Sequence, residues 1–268
     1  MQRVIGYMRK AITEFQMIEN GDRIAVGVSG GKDSVALLTG LHLLKRFIGI
    51  DYEIVALTLD PGFNGQETDY SAIAALCAEY GIPYELRRTQ IAKIVFDERK
   101  EKHPCSLCAR LRRGALHDAA KELSCNKLAL GHHYNDVVET FMMNLFNEGR
   151  IGCFAPVTYL SRKDLTMIRP LVFAPEKEIA AAVRKNGLPV VKSACPADGA
   201  TAREDMKTFL REREREDRGF TYRMFGALRR SGVDGWGYPE NGIRNLKTDG
   251  KVRKSGYPVD PETGAKLF

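Results

Sequence analysis

Three groups of residues in this sequence are of kinds that can do chemistry. The first is Ser29-Gly30-Gly31-Lys32-Asp33-Ser34, directly after the apolar run Ile24–Val28 and before a helical pattern. Glycines there let the backbone approach an anion without a Cβ clash, and the N–H groups and dipole of the following helix, with Lys32, supply positive potential. The second is Gly131-His132-His133-Tyr134-Asn135-Asp136, followed by Glu139-Thr140. An acid such as Asp136 can hold Mg²⁺ on phosphates or serve as a charge at a helix start. His132 and His133 read as packing or hydrogen-bonding groups. The third group is thiols: Cys105-Ser106-Leu107-Cys108, and far away Cys195. With no second C-x-x-C pair to complete a zinc site, three soft sulfur ligands suit iron–sulfur chemistry. Two other sets stay open on these residues: His103 or His117 joining the thiolates around zinc, and a metal-free dithiol passing a persulfide. Cys77, Cys125 and Cys153 lack a partner pattern and read as structural.

The elements that must position these groups follow an α/β rhythm. Apolar runs at Ile24–Val28, Ile54–Leu59, Tyr84–Arg88, Lys127–Leu130 and Met167–Val172 are expected strands. Helices are expected after Lys32, over Ala72–Tyr80, Ile91–Lys102, Cys105–Leu123 and Asn135–Phe146, and from Pro175, with Glu176 and Glu178 in its first turn, to Asn186-Gly187. Five strands with crossovers make a doubly wound parallel sheet, with the first and second groups on its carboxyl edge, where such sheets bind ligands. Asp60, ending the second strand, is a candidate nucleotide contact or a turn-forming residue before Pro61-Gly62.

The expected organisation is an N-terminal helix packed on the core (1–21, with Val4, Ile5, Met8, Ile12, Phe15 and Ile18 at helical spacing), an α/β domain (22–192), a helical extension (193–232) and a tail (233–268). Arg203–Arg218, alternating in charge, reads as an exposed helix. From Val233 the chain is Gly- and Pro-rich with Trp236, Tyr238 and Tyr257, and is expected to build no core of its own and to be extended or disordered until it docks on something.

The 268 residues carry 41 Lys+Arg against 34 Asp+Glu, a net charge of +7, and the pI near 9.1 suits a phosphate-bearing partner. Six cysteines in so long a chain do not make a secreted disulfide scaffold. No stretch has the form of a secretory leader or approaches the roughly 18 apolar residues of a membrane span, so a cytoplasmic protein without membrane attachment is expected.

The loop at 29–34 is neither a Walker A nor a G-x-G-x-x-G sequence; it resembles the PP-loop of the ATP pyrophosphatases, which cleave ATP between the α and β phosphates to adenylate an oxygen. That resemblance implies ATP contacts at Ser29, Gly30, Gly31, Lys32, Asp33 and Ser34, with Asp60, Gly131 and His133 nearby. The cysteine pair followed by Ala-Arg-Leu-Arg-Arg-Gly, the 131–140 segment and Cys195 are together similar to the TtcA branch of PP-loop tRNA thiolases, over roughly residues 1–230. The resemblance implies the PP-loop fold, also called adenine nucleotide alpha hydrolase-like, and a [4Fe-4S] cluster on Cys105, Cys108 and Cys195 with one iron left open. It also implies ATP and Mg²⁺, a tRNA anticodon-loop cytidine converted to 2-thiocytidine, and a homodimer. A cysteine desulfurase or free sulfide would be the sulfur donor. Arg112, one turn past Cys108, falls where relatives carry a basic residue near the activated base; with Arg110 and Arg113 it could equally meet tRNA phosphates. Asp136 and Arg112 are the candidate catalytic residues. Three rivals are a lysidine-synthetase-like amine ligase, which shares the loop and the G-H-H-x-x-D segment but needs no cysteine triad, thiolation of a uridine, and a non-enzymatic nucleotide-binding redox sensor. The tail matches nothing in the family, and its aromatic and basic residues could engage RNA by stacking and charge.

Overall fold

The structure is a computed structural model that describes residues 1–99, 104–192, 194–196 and 202–238. The chain divides into two compact units, residues 1–136 with 156–201 and residues 137–155 with 202–268, so the division falls inside a helix just after Asp136.

The first unit opens with α1 (Gln2–Glu14), which buries Val4, Met8, Ala11 and Ile12. It lies against α2 (Lys32–Leu44), where a Cβ on Gly40 would overlap the Met8 sulfur. That glycine, costly inside a helix, is explained by close approach. Met17 and Ile18, expected to continue the first helix, are buried beyond its end.

The strands β1 (Asp22–Gly27), β2 (Tyr52–Asp60), β3 (Tyr84–Arg88), β4 (Lys127–Ala129), β5 (Val157–Leu160) and β6 (Leu165–Ile168) form one sheet in the order β3-β2-β1-β4-β6-β5. All neighbouring pairs are parallel except β5 with β6. The central strands read as continuous apolar runs because helices cover both faces. The sixth, antiparallel strand was not foreseen: β5 is a partly exposed edge with little apolar signal, and the expected fifth strand, 167–172, begins two residues earlier and ends at Ile168.

The order turns at β1, flanked by β2 on one side and β4 on the other. This is the switch point where the strand ends open a crevice. Of the covering helices, α3 (Ser71–Glu79), α4 (Pro104–Glu122) and α6 (Glu176–Lys185) lie near their expected places. The stretch expected to be helical from Ile91 is a π-helix over Lys93–Glu98, and residues 100–102 lie outside the described part.

α5 (Tyr134–Glu148) carries the chain into the second unit, where it is joined by α7 (Ala202–Glu216) and α8 (Phe220–Ser231). The start of the supposed tail is corrected there. Trp236 is fully buried, its indole N–H donates to the Phe154 carbonyl at 2.8 Å, and its ring packs edge-on to Phe154 and Phe225. A large aromatic ring with one polar atom satisfied anchors a small core that aliphatic counting overlooks. Tyr257 lies outside the described residues. Among those described, no helix is long and apolar enough to cross a membrane.

Candidate functional site

The loop between β1 and α2 is tied by its own serines. Ser34 Oγ accepts from the Ser29 N–H at 3.1 Å, lies 3.2 Å from Ser29 Oγ, and donates to the Gly31 carbonyl at 2.9 Å. Gly30 has φ +84°, and a Cβ there would stand 2.8 Å from Val191 Cβ. Gly31 has ordinary angles and, among the described residues, only Ser29 Oγ, at 3.5 Å, near its missing Cβ, so its bare face can receive an anion. Lys32 extends to Asp33 Oδ2 and Glu176 Oε1, each at 3.0 Å. Burial opposes its charge, but the two carboxylates outweigh burial and hold the ammonium's pKa above the ordinary lysine value.

The loop between β4 and α5 packs on this first turn. A Cβ on Gly131 would come within 3.2 Å of the Asp33 carbonyl carbon and the Ser34 nitrogen. Close packing of two loops is therefore what Gly131 permits. His133 and Asp136 cap α5 reciprocally: the His133 N–H donates to Asp136 Oδ2 at 2.9 Å, and the Asp136 N–H donates to His133 Nδ1 at 3.3 Å. This is a capping box with histidine at the cap. Accepting at Nδ1 leaves the imidazole proton on Nε2, which points toward Asp33 Oδ1 at 3.8 Å. Among the described residues, Asp33 Oδ1 is itself buried without a hydrogen-bond partner.

Between the loops is a cavity of about 300 Å³, lined by Ser29, Asp33, Ser34, Gly131, His132 and Asp136, by apolar groups including Leu57, Leu59, Leu116 and Leu130, and by Arg112. Gly30, Gly31, Lys32 and His133 adjoin it without lining it. Asp60 is buried, and its carboxylate accepts from the Gly62 N–H at 3.0 Å and the Thr68 N–H at 3.1 Å, the contacts of the turn-forming reading. Glu139 is also taken up elsewhere, buried in the second unit beside Arg203 at 3.6 Å.

Cys105 and Cys195 both lie within electrostatic reach of Cys108, which is on the helix that also carries the cavity residue Arg112. Cys108 is buried against Leu59, Ile91 and Val95, while Cys105 is exposed and Cys195 half-buried. Burial pushes the Cys108 thiol pKa up; the nearby Arg112 guanidinium pulls the other way, and Cys195 and Cys105 are near enough to add to the rise. Two tethers fix the Cys195 segment: the Val191 N–H donates to the Gly30 carbonyl at 2.9 Å, and Asn64 donates to the Ala194 carbonyl at 3.5 Å. Arg112 thus lines the cavity and lies near the Cys108 thiol, whereas Arg110 and Arg113 are exposed.

Among the described residues no three His, Cys, Asp or Glu side chains close around a single metal ion. A tetrahedral zinc ion, with Zn–S bonds of about 2.3 Å, needs such closure; a cluster spreads its ligands over several irons. Three soft thiol donors suit the ligand chemistry of either kind of group. His117 is corrected as a zinc candidate, because it is buried with Nε2 3.3 Å from the Met167 sulfur, and His103 lies outside the described residues. Cys77, Cys125 and Cys153 are buried, and burial pushes the Cys77 thiol up to about 11. Glu176 was missed as a site residue. An acid beside Pro175 at a helix start reads as ordinary capping charge, and nothing in the sequence points it at Lys32.

A parallel sheet with a serine-knit anion loop at its switch point defines a PP-loop nucleotide-binding protein, and a PP-loop domain profile matches residues 6–214. Two relatives carry the name tRNA-cytidine(32) 2-sulfurtransferase. That of Citrifermentans bemidjiense is 41% identical over 218 residues, covering 80% of this chain and 85% of the relative. That of Syntrophotalea carbinolica is 46% identical over 190 residues, covering 70% and 73%. The chain belongs to this sulfurtransferase family within the PP-loop proteins. Its fold is similar to that of the U34-tRNA thiolase NcsA from Methanococcus maripaludis, solved with its [4Fe-4S] cluster, with a TM-score of 0.69 and 27% identity over 84% of this chain and 78% of that one.

Proposed function

We propose that the protein uses ATP to adenylate the C2 oxygen of a tRNA anticodon-loop cytidine, position 32 in the relatives' name, and replaces that oxygen with sulfur to give 2-thiocytidine. The observation that carries the reading is Arg112, which lines the cavity under the phosphate loop and stands one helical turn beyond Cys108 on α4. A base activated at one end of that side chain would be within reach of sulfur at the other.

Attack of the C2 oxygen on the α-phosphorus expels pyrophosphate; sulfide then adds to C2, and AMP leaves with the original oxygen. The Gly31 face and the α2 N-terminus would hold the phosphates, and the apolar wall would take the adenine. Mg²⁺ would be held by Asp33 and Asp136, and the orphaned Asp33 Oδ1 fits that role. His133, capping α5, would keep Asp136 in place. Cys105, Cys108 and Cys195 would hold a [4Fe-4S] cluster, which when bound supplies an iron without a protein ligand for the sulfur donor, a cysteine desulfurase or free sulfide. Arg112 would orient the base and counter the negative charge that develops on the α-phosphoryl oxygens as the C2 oxygen attacks. The same reading makes the enzyme cytoplasmic and, by resemblance, homodimeric.

NcsA acts at U34, so a uridine is the second reading; identities of 41–46% to the cytidine enzymes favour the first. The test is anaerobic reaction of purified protein with unmodified tRNA, ATP and sulfide. The reading expects a coloured, iron-containing protein that releases AMP and pyrophosphate and makes 2-thiocytidine. A colourless protein that couples an amine to the base would return the lysidine route, and one that never releases pyrophosphate would return the sensor.

A further inference from the structure

Lys32 is the cation of the phosphate loop, yet it is not in the cavity. Its ammonium is shared between Asp33 Oδ2 and Glu176 Oε1, each at 3.0 Å, and two carboxylates on one ammonium leave a net negative charge beside a loop that must bind a polyanion. Asp33 is part of the loop. Glu176 comes from a different helix, and its position is set: its backbone N–H donates to Asn135 Oδ1 at 2.9 Å, so the segment that caps α5 also fixes the start of α6. The α6 helix packs along α2, which holds this acid opposite the first residue of α2.

We propose that Glu176 is a positioning residue that parks Lys32 away from the cavity until a polyphosphate competes for the ammonium. The inference rests on the reading of this loop as the ATP site. An ion pair that must break when phosphate binds subtracts its own stability from the binding free energy. It weakens capture of small anions that make few other contacts, and it favours departure of pyrophosphate after adenylation, when the lysine can return to Glu176.

The test is calorimetric titration of the full chain with pyrophosphate, together with steady-state ATP kinetics in the presence of tRNA. For Glu176→Gln the expected result is about two- to fivefold tighter pyrophosphate binding, the range a half-exposed ion pair supports. The KM for ATP falls by a similar factor while kcat does not rise. Glu178→Gln removes the same charge from the same helix turn, where the acid pairs with Arg3, and is expected to give no gain. The gain should also vanish in a Lys32→Met background. Glu176→Asp, which keeps an acid at the helix start but shortens its reach, should shift affinity in the same direction and serves if the glutamine variant misfolds. Unchanged or weaker pyrophosphate binding in the Glu176 variants, or an equal gain in Glu178→Gln or without Lys32, would overturn the proposal alone. Wild-type protein that binds neither ATP nor pyrophosphate would overturn the nucleotide reading and the proposal with it.

Discussion

Asp136 and Asp60 are both acids at the carboxyl edge of the sheet, but their surroundings give them different work. Asp60 accepts from two backbone N–H groups of the turn that follows it, so Asp60→Ala leaves both donors without their acceptor. The expected loss is about 1–3 kcal/mol of stability by denaturant titration, with the ATP KM of the folded fraction unchanged. Asp136 caps its helix and also lines the cavity. Asparagine keeps an oxygen for the cap but not the charge, so Asp136→Asn should melt like the wild type while adenylation falls about a hundredfold, within the several kcal/mol a bound divalent ion contributes. Equal activity would reduce Asp136 to a cap. The sequence raised both possibilities for each acid, and what separates them is the pair of N–H groups that donate to Asp60 and the place of Asp136 in the cavity wall.

At the scale of elements, the site depends on two loops pressed together at the switch point. Their packing is closest at Gly131, where a methyl group would meet the first-turn backbone of α2 at 3.2 Å. Backbone cannot move aside as a side chain can, so Gly131→Ala should raise the ATP KM and cost about 1–3 kcal/mol of stability. A stable variant with unchanged KM would show that the loops tolerate separation. Much of this level was legible beforehand. Continuous apolar runs mark buried parallel strands, and a glycine loop between strand and helix marks the anion site. β5 escaped because an edge strand with one exposed face carries neither signal, and the Lys32–Glu176 pair escaped because it joins residues 144 positions apart that each look ordinary alone.

For the molecule as a whole, the separation of a nucleotide-binding unit from a second unit was only partly readable. Residues 137–155 leave the first unit in the middle of the sequence, and Trp236 sits in a stretch whose composition suggested no core. Yet Trp236 is fully buried with its N–H satisfied, so Trp236→Ala is expected to cost about 3–5 kcal/mol. Hydrogen exchange should show the loss in residues 137–155 and 202–238, with the sheet still protected; uniform loss of protection would mean that the two units unfold as one. The most direct measurement of the central claim is mass spectrometry of tRNA nucleosides from a deletion strain of the source organism carrying either the wild-type gene or Cys195→Ala, with folding of the variant checked by its melting curve. The account predicts that 2-thiocytidine disappears with the gene, returns with the wild type and does not return with a folded Cys195→Ala protein. Restoration of 2-thiocytidine by that variant would contradict it.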